Sequence, residues 1–219
     1  MKWFKGIGLL NDLNWPVLSW FVLIILIILF YYNYEKKGSD SKTVAVAATL
    51  SALAAVSRVP FAALPNVQPT TFIVIVSGYV FGAQLGFIVG STAAVVSNMS
   101  LGQGPWTPWQ MLAWGCAGMS AGVLKHFRPK ISKAGLTFFC GLWGYIFGLI
   151  MNIWQWSAFI YPLTLKTFFA TYLLGFWFDS LHALSNVLLA VFMGKDLIKI
   201  LDRFQKKLKA TYLPPEYIE

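Results

Sequence analysis

Long apolar stretches separated by short polar breaks set the pattern of this chain. The first runs from about Pro16 to Tyr32, with an almost purely aliphatic centre, Val22 to Phe30, followed by Tyr31, Tyr32 and Tyr34 and then Glu35-Lys36-Lys37. It is long enough to cross a bilayer. It has no small-residue cleavage site and ends in an aromatic cluster, so it reads as a retained anchor helix and not a signal peptide. After the polar stretch Lys36 to Lys42, a second helix is predicted from Thr43 to about Leu64. Small residues recur along it at four-residue spacing, Ala47, Ser51, Ala55 and Ala48, Ala52, giving a smooth helix face.

Beyond Pro65 to Pro69 come two apolar runs, Thr70 to about Phe81 and Leu85 to Val96, joined by a tight turn at Gly82-Ala83-Gln84. The uncharged segment Ser97 to Trp109 is rich in turn formers. Thr107-Pro108 reads as an N-cap followed by a first-turn proline, opening a helix to about Phe127. A basic loop from Lys125 to Lys133 precedes a helix from Ala134 to about Trp156, and the last span is expected from Phe168 to Met193. Leu197, Ile200, Leu201, Phe204 and Leu208 then line one stripe of a basic amphipathic helix suited to a membrane surface or a partner.

Composition agrees with a membrane protein: 58% hydrophobic and 11% charged among 219 residues, with a mean hydropathy of +0.65. The net charge of +9 comes from short clusters between apolar segments and reflects topology, not nucleic-acid binding. Lys36, Lys37 and Lys42, the Lys125 to Lys133 loop and the basic tail fall on one side, which the positive-inside rule makes cytoplasmic. The extra first helix then puts the N-terminus outside. Cys116 and Cys140 have neither CxxC spacing nor neighbouring ligands, and read as packing residues.

The three opposite loops, Arg58 to Pro69, Asn98 to Trp109 and Trp154 to Lys166, hold only Arg58 and Lys166 as cations. They offer Trp106, Trp109, Trp154, Trp156, Phe159 and Tyr161 as flat surfaces, with Asn66, Gln68, Asn98, Gln103, Gln110 and Gln155 as neutral donors and acceptors. The mixture suits a large, amphipathic, mostly uncharged ligand; the competing reading is an interfacial aromatic belt. Arg58 either snorkels to the surface or binds a polar edge of the ligand. Asp179, His182 and Asn186 share one helix face at mid-membrane depth, either as an Asp–His pair satisfied within the bundle or in a ligand-linked role. No HExxH, GxSxG or GxxxxGK[ST] motif and no close carboxylate pair occurs, so no catalytic or metal residue is assigned.

The run Leu64-Pro65-Asn66-Val67-Gln68-Pro69-Thr70-Thr71, then Gly82-Ala83-Gln84-Leu85-Gly86-Phe87, then Gly102 to Gln110, with Met151-Asn152-Ile153-Trp154 and Phe178 to Asn186, resembles the substrate-binding S-components of energy-coupling factor (ECF) transporters. Among these it is most similar to the cobalamin group. The resemblance implies an all-α membrane protein in the cell membrane of a prokaryote. It implies a six-helix core, placed at 36–194; the extra N-terminal transmembrane anchor at 1–35 departs from that six-helix pattern, and the C-terminal amphipathic tail at 195–219 is read from its own stripe of apolar residues. It further implies no intrinsic cofactor, cobalamin as the transported ligand, and association with a membrane coupling subunit and two ATPase subunits that supply the hydrolysis. Ala47, Ala48, Ser51, Ala52 and Ala55 match the Ala-rich motif through which members contact the coupling subunit. The expected substrate-binding residues are Arg58, Asn66, Gln68, Asn98, Gln103, Trp106, Trp109, Gln110, Trp154 and Tyr161. The rivals are an S-component for pantothenate, folate, riboflavin or a queuosine precursor, or a structural membrane scaffold without a ligand.

Overall fold

The computed structural model describes residues 15–36 and 41–209, with side chains described for 20–36 and 41–208. The start of the expected anchor (1–14), the linker residues 37–40 and the end of the tail (210–219) lie outside the described residues. The described chain is helical: α1 (Trp15–Lys36), α2 (Ser41–Val56), a 3-10 turn (Val59–Phe61), α3 (Pro69–Phe81), α4 (Ala83–Leu101), α5 (Thr107–Phe127), α6 (Lys133–Phe159) and α7 (Leu165–Lys209). Among the described residues, the stretches Ser41–Phe61, Ala83–Leu101 and Lys133–Phe159 are long and apolar enough to cross a membrane, and Pro69–Phe81 is a shorter apolar helix. Seven comparable spans were expected.

Local chemistry sets the boundaries. Pro60 and Pro65 break the second helix earlier than expected: α2 stops at Val56, and the chain continues as a 3-10 turn and bends. Pro69 opens α3 behind an extended Gln68. Gly82, with a φ of 99°, is the whole turn between α3 and α4. Trp106 takes the N-cap position expected of Thr107, which instead begins α5. Ser132 caps α6 by accepting from the Gly135 N–H at 3.0 Å. The expected break between the last span and the tail is absent, and α7 runs unbroken for 45 residues, on the order of 65 Å.

Every residue of α3 from Pro69 to Val80 is buried, as suits a helix that is apolar all round. Helices α2, α4, α5, α6 and α7 surround it, with α4 packed most extensively on α5 and α6 on α7. Gly78, Gly86 and Gly118 let α3, α4 and α5 meet backbone to backbone: a Cβ on Gly118 would stand 2.2 Å from the Gly86 carbonyl oxygen. Close approach through small residues is how helices gain packing contacts where lipid supplies no hydrophobic drive.

The basic segments gather at one end. Lys125 lies over the Tyr79 ring at 4.5 Å, Lys195 donates to the Ile131 carbonyl, and Gln205 donates to the Val80 carbonyl at 2.8 Å. The Tyr79 hydroxyl contacts the Arg128 and Pro129 carbonyls (2.8 and 3.1 Å) and accepts from the Ile131 N–H at 3.0 Å. This one oxygen ties the α5–α6 loop to α3. Tyr79→Phe is expected to cost about 1–3 kcal/mol, because a buried amide loses its acceptor; thermal unfolding in detergent measures it.

Candidate substrate-binding site

The opposite end carries the three aromatic and amide-rich loops. The segment after α2 dips onto α7, where Asn66, at a φ of 55°, donates to the Phe178 carbonyl at 2.9 Å and accepts from Gln68 at 2.7 Å. Beneath it lies a recess of about 230 Å³. The amides of Asn66, Gln68, Gln110, Asn152 and Gln155 and the carboxyl of Asp179 line it, together with Phe147, Met151 and Phe178. The Asn152 amide donates to Asp179 Oδ2 at 3.2 Å, while Gln68 Oε1 is buried without a partner. No Lys or Arg is among the lining residues.

Arg58 sits beside this recess and is tied into the bundle. Its guanidinium donates to Ser97 Oγ at 2.9 Å and Asn98 Oδ1 at 2.8 Å, and lies 5.1 Å from the Trp114 ring centre. It also lines, with Asn66 and Gln68, a more open cleft of about 370 Å³. Asn98 passes the chain on, donating to Thr107 Oγ1 (3.0 Å) and Gln110 Oε1 (2.7 Å). Gln103 is occupied locally, donating to the Val95 carbonyl and accepting from Thr107. Asn98 and Gln103 thus hold the loop between α4 and α5 in place.

Trp109 and Trp154 line a second, apolar recess of about 400 Å³, and Trp106 meets Trp154 edge-on at 6.1 Å. Tyr161 is 74% exposed, outside these recesses. Asp179 lies in the polar recess instead of in a mid-bundle pair with His182. The His182 Nε2 atom is 2.7 Å from the Thr71 hydroxyl, which also accepts from the Trp114 indole N–H at 2.8 Å. Of the two readings open for these residues, the Asp–His pair does not form: Asp179 contacts Asn152, and His182 contacts Thr71. His182 and Asn186 are completely buried, and His182 packs beneath Phe147, which separates it from the recess.

The expected small-residue face of α2 divides. Ala47, Ser51 and Ala55 are buried in the bundle, whereas Ala48 and Ala52 are exposed, because a shift of one residue turns a helix by about 100°. An external partner reaches only the latter pair in this structure. Gly148 and Gly175 were not anticipated as site residues: a Cβ at Gly148 would fall 2.1 Å from the Asp179 carboxyl carbon, and one at Gly175 would fall 2.8 Å from Asn152 Oδ1. Gly148 makes room for Asp179 and Gly175 for Asn152; on its own helix each glycine stands four residues before the other polar group, Gly148 before Asn152 and Gly175 before Asp179, and that spacing was the available signal.

Residues 42–214 match the family model described as ECF transporter, substrate-specific component. The chain belongs to this family. It is accordingly a substrate-binding subunit of a membrane transporter and not an enzyme, and family members work with a coupling subunit and ATPases. Among curated proteins and among solved structures, nothing matches the chain. The family match begins at Lys42, so α1 lies outside the part of this S-component that the family shares.

Proposed function

We propose that this S-component captures cobalamin or a related corrinoid at its loop end, which faces outward, and delivers it to a coupling subunit and two ATPases in a prokaryotic cell membrane. The convergence of five neutral amides on a recess without a basic residue carries the reading. An anionic vitamin such as pantothenate or folate calls for cations, and the nearest one, Arg58, already donates to Ser97 and Asn98. A corrinoid presents peripheral amides that exchange hydrogen bonds with Asn and Gln, and flat apolar surface that packs on tryptophan. The polar recess alone is smaller than a corrinoid, so the bulk of the ligand rests on the neighbouring cleft and the Trp106, Trp109 and Trp154 surfaces. His182, behind Phe147, takes no part in binding cobalt.

The basic end faces the cytoplasm under the positive-inside rule, and the exposed Ala48–Ala52 stripe is the partner contact on α2. A second reading is favoured by size: a recess of about 230 Å³ holds a compact, uncharged or cationic heterocycle such as a queuosine precursor entirely.

Isothermal titration of the detergent-purified chain with cyanocobalamin, pantothenate, riboflavin, folate and a queuosine precursor tests both. One-site cyanocobalamin binding with a Kd on the order of nanomolar supports the first reading. Silence with cyanocobalamin and heat from the precursor establishes the second. Heat only from pantothenate or folate overturns the argument from neutral amides.

A further inference from the structure

We infer that α1, the helix outside the family match, is part of the ligand site: Trp20 and Phe21 close an apolar subsite that continues the polar recess and takes a flat apolar portion of the ligand. The subsite is the recess of about 400 Å³ formed by Trp20 and Phe21 of α1 with Pro105, Trp109, Trp154 and Phe159. Its relation to the polar recess is built into two pairs of consecutive residues. On α5, Trp109 lines the apolar recess and Gln110 the polar one; on α6, Trp154 lines the apolar recess and Gln155 the polar one. The ends of α5 and α6 are thus shared walls, and one ligand seated against them meets both recesses.

Two further observations point to a ligand. The Trp20 indole N–H is buried without a hydrogen-bond partner, a state that buried donors rarely keep and that an acceptor on a bound molecule relieves. The remainder of α1 is also fixed against the bundle. Leu23 and Ile27 are buried, Phe30 lies 3.9 Å from Phe87 between ring centres, and the Tyr31 hydroxyl is 2.7 Å from both Ser91 Oγ and Thr92 Oγ1. These contacts hold Trp20 in a fixed position opposite Trp154. The subsite is therefore preorganised, and its occupant is the aromatic or hydrocarbon part of a ligand that carries at least one hydrogen-bond acceptor.

This inference rests on the reading of the loop end as the vitamin site, and the test separates the two. The full chain and its Trp20→Ala, Trp20→Phe and Ile27→Ala variants are titrated calorimetrically with the same five vitamins, and thermal unfolding is recorded alongside. For whichever vitamin the unaltered chain binds, Trp20→Ala is expected to weaken binding by about tenfold or more, and Trp20→Phe by less, because a ring remains. Ile27→Ala thins the same helix away from the recess, so it should lower the unfolding temperature and leave affinity within about twofold.

Binding of a vitamin other than cyanocobalamin, with the Trp20 effect intact, sinks the corrinoid assignment and keeps the inference. An affinity unchanged by Trp20→Ala overturns the inference alone and assigns the recess to lipid. An equal loss in Ile27→Ala also overturns it, since the helix then acts only by packing. If no vitamin binds the unaltered chain, both readings fall.

Discussion

Gly118→Leu is expected to yield no folded protein. At this position three helices touch through their backbones. A Cβ on Gly118 would lie 2.2 Å from the Gly86 carbonyl oxygen and 2.5 Å from its carbonyl carbon, while the Cβ of a residue at Gly78 would lie 1.9 Å from the Gly118 oxygen. Flexible side chains elsewhere give way to an added methyl at a cost of about 1–3 kcal/mol. Here the obstacles are main-chain atoms of Gly86 in α4, which itself lies against the backbone of Gly78 in α3. Moving them disturbs the fully buried face of α3 and the seam between α4 and α5. Since membrane helices associate mainly through such contacts, separation forfeits the interaction that replaces the hydrophobic drive. Gly118→Ala should fold with a clearly lowered unfolding temperature, and Gly118→Leu should give only aggregate on size exclusion in mild detergent. A monodisperse Gly118→Leu protein with unaltered unfolding would show that the junction is far looser than its distances indicate.

The same junction shows how much of the fold was legible beforehand. Apolar runs and their breaks place most of the helices, because a lipid-facing or buried segment must satisfy its backbone internally and so reads as an uninterrupted helix. The abundance of glycine pointed to close packing, but which glycines meet depends on the register of helices distant in sequence. The boundary placed before Lys195 illustrates the limit. Gly194 and a basic run look like a terminus, yet a Cβ at Gly194 would fall 2.6 Å from Leu136 Cδ2, and Lys195 finds the Ile131 carbonyl. The glycine is a packing position and the lysine has a tertiary partner, so the helix continues. At the site, Asn66, Gln68, Gln110 and Gln155 were legible as uncharged amides among the aromatic residues at the ends of the apolar runs, whereas Asn152, well inside the helix α6, was not. The depth of Asp179 was not. It follows from the dip of the α2–α3 segment onto Phe178, a contact between residues 112 apart that no local pattern records.

That contact brings Asp179 into the recess, and Gly148 is what leaves room for it. Gly148→Ala is therefore expected to lower ligand affinity by about 100-fold, some 2.7 kcal/mol, and Gly148→Val to abolish binding. A methyl at Gly148 would stand 2.1 Å from both the carboxyl carbon and Oδ1 of Asp179 and 2.3 Å from Oδ2. The carboxyl must leave, breaking its hydrogen bond with Asn152 and intruding on a recess of only about 230 Å³. Gly144→Ala separates this from simple seam disruption: its Cβ would meet the Ala183 backbone at 2.4 Å, away from the polar lining, so it should depress the unfolding temperature and leave the affinity of the folded fraction close to normal. The double change Gly148→Ala with Asp179→Ala removes the clash. If Asp179 serves mainly to shape the recess, the double variant binds more tightly than Gly148→Ala alone; if the carboxyl itself contacts the ligand, restoring the space brings back stability and not affinity. Calorimetric titration with cyanocobalamin, or with whichever vitamin the unaltered chain binds, distinguishes these results. Normal affinity in Gly148→Ala would place the ligand outside the polar recess and confine its binding to the tryptophan-lined side.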